Sequence, residues 1–191
     1  MVDALPRQTL SSDNQRALKS LQRAMVLSSG RRFSLILAHC NYAHLQAQII
    51  ERLHQDTTIT VREIAIATTS HTLYTAIKSE LDDDKPQSIV IIQLDQNKNL
   101  EALLLAANQV REEFRKQFAC PLVLWVTDDV LMQMVRLVPD FYSWATSPIT
   151  FQLSSVELQT FLRQQTEQLF TCLLNPSKNV SIETRDRKSV V

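Results

Sequence analysis

Three small groups of residues in this chain have side chains that could do chemistry. The first is His39-Cys40 with His44, joined by His71 if the turns that carry them are neighbours. Imidazole nitrogens beside a thiol suit a transition metal or a thiol nucleophile activated by a base. The spacing His39-Cys40-x-x-x-His44 matches no standard zinc pattern, and no C-x-x-C supplies further ligands. No metal is therefore expected, and a buried Cys40 with solvent-facing histidines is the simpler reading. The second group is Asp95, Thr127 and Asp128. Were a nucleoside triphosphate bound, Asp95 would be placed to hold magnesium and Thr127 to sense the terminal phosphate. The competing reading has Asp128 capping a helix and Asp95 in a polar loop. The third is Ser143 in FYSWA, which lacks the flanking glycines of a nucleophile elbow. A hydrolase is not expected. Phe141, Tyr142 and Trp144 read as a packing plug rather than a base-stacking platform.

The elements that must position these residues alternate between two periodicities. Apolar, β-branched runs of strand length occur at 33–38, 58–66, 88–94, 121–127 and 150–153. Helical spacing of apolar residues occurs at 12–27, 42–53, 71–81, 97–118 and 130–138, and again from 154 onward. Ser12 with Gln15 and Ser154 with Glu157 read as capping boxes, and Gly30 as the residue that stops the first helix. The terminal helix is expected to pack through Leu158, Leu162, Leu169 and Leu173. The helix at 97–118 carries Leu100, Leu103, Leu104, Ala107, Val110, Phe114 and Phe118 in one stripe, with Glu112 and Lys116 spaced for an ion pair. Strands alternating with helices predict a three-layer α/β fold with a mostly parallel five-stranded sheet and helices on both faces. In such a sheet ligands bind beyond the C-terminal strand ends, and the first two groups fall there.

Composition bounds the function further. The 191 residues contain 20 Lys plus Arg and 20 Asp plus Glu, so no bulk attraction to nucleic acid or an anionic membrane is expected. Three cysteines, odd in number and unpatterned, favour a reducing cytoplasm. No apolar run reaches membrane-spanning length. The single glycine, against an average near 7%, disfavours any glycine-rich loop laid against a phosphate. The unit at 32–53, RFSLILAHCNYAHLQAQIIERL, is a strand, a tight turn and a helix, the place where a P-loop would stand. Its turn holds no glycine, no lysine and no Lys-Ser/Thr pair.

Two stretches carry a family resemblance. LLLAANQVREEFRKQFACPLVLWVTDDVLMQMVRLVPDFYSWAT at 103–146, with its PDF-x-SW element at 139–144, resembles a segment of bacterial, especially cyanobacterial, STAND-like proteins. RFSLILAHCNY and TLYTAI at 72–77 are similar to the N-terminal part of the same domain, which commonly precedes tetratricopeptide repeats. The resemblance implies an AAA/STAND-type P-loop NTPase-like fold whose catalytic motifs have degenerated. The Walker A turn is replaced by 38–42, and Gln93-Leu94-Asp95-Gln96 lacks the usual acidic pair of Walker B.

The expectation is a non-enzymatic signalling or scaffold domain at 12–174 that contacts other proteins, with no catalytic residue and no cofactor. The alternative is residual ATP/Mg binding or weak hydrolysis through Asp95, Thr127 and Asp128. Residues 175–185 read as a linker. The final DRKSVV at 186–191 resembles one reading frame of a widely used sequencing adapter, so the natural chain is expected to continue beyond it.

Overall fold

The computed structural model describes residues 10–174 except positions 31, 57 and 83. The expected linker and adapter-like end, 175–191, lie outside the described residues. Five parallel strands, β1 (Ser34–His39), β2 (Val61–Ala65), β3 (Ser88–Ile92), β4 (Pro121–Val126) and β5 (Ile149–Thr150), form one sheet in the order β2-β3-β4-β1-β5. The helices are α1 (Ser12–Ser28), α2 (Ala43–Asp56), α3 (Leu73–Leu81), α4 (Leu100–Gln109), α5 (Arg111–Gln117), α6 (Asp128–Leu137), α7 (Pro139–Tyr142) and α8 (Ser155–Leu174). The expected five-stranded parallel α/β architecture is the one observed.

The continuous apolar runs occupy the interior of the sheet. Every residue of β4 is buried, as are the first four of β3, because both strands are covered on both faces. Edge strand β2 buries only Ile64 fully. Alternation along β1 divides two cores. Leu35 and Leu37 join Ile77 of α3, Leu103 and Leu104 of α4, and Val130 and Met134 of α6 in one cluster. Ile36 and Ala38 are buried on the other face, the side of α1 with its buried Leu18, Leu21 and Met25.

Several boundaries differ from the expected ones, for local reasons. Ser11 rather than Ser12 caps α1, its hydroxyl accepting from the Asn14 amide, while Gln15 turns back to the Leu10 carbonyl. Thr72 caps α3, its hydroxyl accepting from the Thr75 amide. The strand expected at 88–94 stops at Ile92, because Gln93 adopts a left-handed conformation and starts a short 3-10 turn, Leu94–Gln96. The single helix expected at 97–118 is two helices. It breaks at Val110, where Asn108 gives its carbonyl to the Arg111 guanidinium and its side-chain oxygen to the Phe141 amide. The ion pairs of α5 are accordingly Arg115–Glu112 and Lys116–Glu113, not the expected Glu112–Lys116. Residues 139 and 140, expected to end a helix, also begin α7. The last strand covers 149–150 rather than 150–153. Gly30, at φ 67°, follows the end of α1 as expected.

The chain divides into two compact units, up to Gln152 and from Leu153. In the second, the expected capping box opens α8. The Ser154 amide donates to Glu157 Oε2 at 2.8 Å and the Glu157 amide to Ser154 Oγ at 3.3 Å. Leu162, expected on the packed face of this helix, is exposed, and the side chains of Leu169 and Leu173 lie outside the described residues.

Candidate functional site

The C-terminal ends of β1, β3 and β4 open onto a groove of about 1100 Å³. Its lining includes Asn41, Asp95, Thr127 and Asp128, together with Lys98 just before α4, Glu101 and Leu105 of α4, and Gln133 of α6. The second group of the sequence reading, Asp95, Thr127 and Asp128, is thus brought to one site. Asp95 sits on the 3-10 turn that follows Gln93, exposed to solvent.

The turn after β1 is built differently from a phosphate loop. β1 ends at His39 and α2 starts at Ala43, so Cys40, Asn41 and Tyr42 are the whole connection. A GxxxxGK[ST] loop needs about eight residues to wrap its amides around a phosphate. Here the turn is tied to the next strand end by side chains. Asn41 Nδ2 donates to Asp128 Oδ2 at 2.6 Å, the Asp128 amide donates to Asn41 Oδ1 at 2.8 Å, and His39 Nε2 lies 2.7 Å from Asp128 Oδ1. The Cys40 amide donates to the Val126 carbonyl, which fixes the backbone of the two strand ends against each other. The expectation that Asp128 caps α6 is corrected: Thr127 is the cap, its hydroxyl accepting from the Val130 amide, and Asp128 serves the latch.

The groove is acidic. Asp95, Glu101, Asp128 and Asp129 face Lys98, the one cationic side chain among its described lining residues. Among the described residues, Asp95, Glu101, Asp129 and Lys98 have no ion-pair partner within 4 Å. A triphosphate entering such a cleft would meet net repulsion and no array of loop amides.

The other chemistry-bearing residues are dispersed. Two strands, β3 and β4, lie between the β1 turn and the β2 turn, so His71 is not beside His39. Cys40 is buried, donates to the Tyr42 carbonyl at 3.5 Å, and has its pKa raised chiefly by burial, which is the opposite of an activated thiolate. Ser143 Oγ donates to the Asp140 carbonyl at 2.7 Å. Phe141 and Trp144 form the expected packing plug: Phe141 lies 5.5 Å from Phe114, Trp144 lies 6.1 Å from Phe33, and the Arg115 guanidinium covers Trp144 at 5.5 Å. Sequence reasoning missed Lys98 and Glu101 as groove residues. The available signal was their position just after the third strand, at the same sheet end as Asp95.

No protein-family model matches the chain, and no curated protein matches it. Among solved structures it is similar to the ORC2 protein of Aeropyrum pernix in its ADPNP–ADP complexes, with a TM-score of 0.53 and 12% identity over 87% of this chain and 54% of that one. It is also similar to the ORC1 protein of the same organism in complex with DNA, with a TM-score of 0.48 and 14% identity over 88% of this chain and 52% of that one. The chain therefore spans about half the length of these neighbours. At this identity the first likeness shows the fold alone. Together with the parallel sheet, it shows that the chain shares the parallel five-stranded α/β fold of that ORC2 protein, a P-loop NTPase-like fold.

Proposed function

We propose that the chain is a non-enzymatic signalling or scaffold module, which uses a degenerate STAND-like version of this fold to contact other proteins. The observation that carries this reading is the connection after β1: three residues, locked by Asn41 and His39 onto Asp128, where a phosphate loop would have to stand. The acidic lining of the adjoining groove supports it. Balanced charge supports a protein partner over nucleic acid. The module acts in the cytoplasm as the N-terminal part of a longer, tetratricopeptide-repeat protein, a context supported by the PDF-x-SW resemblance. Isothermal titration with ATP, ADP and GTP in the presence of magnesium tests the reading. No heat is expected; a micromolar Kd, about −8 kcal/mol, would overturn it.

One observation favours a second reading, residual ATP/Mg binding. Asp95, Thr127 and Asp128 line one groove at the strand ends, where ligands of parallel sheets bind. A magnesium-dependent Kd that weakens on Asp95→Asn would establish it.

A further inference from the structure

We infer that the acidic groove docks the basic stripe of α1 from a second copy of this chain. Arg16, Lys19, Arg23 and Val26 recur at helical spacing along one exposed face of α1. Arg16 is engaged by Asp13 at 2.7 Å, but Lys19 and Arg23 have no ion-pair partner among the described residues. They flank a shallow surface depression of about 410 Å³ with the exposed Val26 and Leu27. The groove has the complementary pattern. Glu101, Asp129 and Asp95 have no ion-pair partner among the described residues, Leu105 is an exposed part of its wall, and α6 exposes Met132 and Val135 outside the groove lining.

The chain, with no net charge, thus carries two patches of opposite sign, each with exposed apolar side chains beside it. The patches belong to opposite faces of the sheet. α4 and α6 pack on the side of Leu35 and Leu37, while α1 covers the other. They cannot meet within one molecule. Between molecules they make a heterologous, head-to-tail contact, which leaves one free patch at each end and propagates to a ring or a filament. The contact is electrostatically steered and salt-sensitive. This inference rests on the reading of the groove as a protein-docking cleft, and it names the partner.

Sedimentation velocity of the full chain, from micromolar to several hundred micromolar, tests it at low and high salt. Mass rising with concentration at low salt and falling back to the monomer at high salt is expected. Lys19→Glu/Arg23→Glu and Glu101→Lys/Asp129→Lys should each weaken association at least ~10-fold. Mixing the two variants should restore it, since each then supplies the patch that the other has reversed. That rescue separates a docking effect from a folding defect. A wild-type chain that stays monomeric throughout, or variants that associate as the wild type does, would overturn the inference. Nucleotide titration reports separately: nucleotide binding with a monomeric chain sinks both readings, whereas a monomeric chain silent to nucleotide sinks this one alone.

Discussion

Asn41 satisfies two partners with one amide, donating to the Asp128 carboxylate and accepting from the Asp128 backbone. Asn41→Ala removes both bonds at an exposed site, and should cost roughly 1–2 kcal/mol by urea denaturation. Asn41→Asp should cost more, because a second carboxylate would face Asp128. A loss near zero for both would show that the latch is ornamental. Cys120 gives a second residue-scale prediction. It is buried immediately before β4, and burial pushes its pKa from 9.0 to about 11. The folded chain holds that proton more tightly than the unfolded one. The resulting stability is fully present below pH 9, declines as pH rises, and is lost above about 11. The two-unit shift bounds the effect at roughly 2–3 kcal/mol. Chemical denaturation between pH 8 and 11 should show this decline, and Cys120→Ala should flatten most of it. The burial-raised thiol of Cys40 contributes in the same direction and is untouched by that change.

At the scale of elements, local signals held where the chain could satisfy itself and failed where a distant partner intervened. The α8 capping box involves residues three apart and was readable as such. The helix expected across 97–118 has an unbroken apolar stripe, and nothing within it announces a break. At the break the Phe141 amide donates to the side-chain oxygen of Asn108, 33 positions away. Asn14 acts in a similar way on the short edge strand β5 (Ile149–Thr150). Although 138 positions distant, its buried side chain donates to the Gln152 carbonyl at 2.8 Å and accepts from the Gln152 amide at 3.0 Å. It thereby replaces the backbone neighbour that an edge segment lacks. Asn14→Ala leaves both Gln152 groups without this partner and should lower stability by about 1–3 kcal/mol. Amide exchange at Gln152 should rise in the same variant, and unchanged exchange would count against the pairing.

For the whole molecule, the strand order decides which turns meet. It joins the ends of β1, β3 and β4 in one groove and removes the β2 turn with His71 from it. If the groove holds no nucleotide, a thermal melt should not move with millimolar ATP and magnesium. A ligand at a hundred times its Kd would stabilise the fold by about 2.7 kcal/mol, which such a melt would detect. The sequence by itself determined the α/β class, the five strands and the missing phosphate loop. Each depends on local periodicity, or on the presence of glycine and lysine at one turn. It also placed Asp95, Thr127 and Asp128 at strand ends, since that follows from where strands stop. Only the tertiary structure decided what those residues do there. Asp128 lies 87 positions from Asn41 and closes the turn after β1, and Lys98 and Glu101 enter the groove because α4 starts beside it. Only the assembled sheet sets the acidic groove and the basic α1 stripe on opposite faces, because which charges become neighbours depends on strand order and helix placement rather than on spacing along the chain.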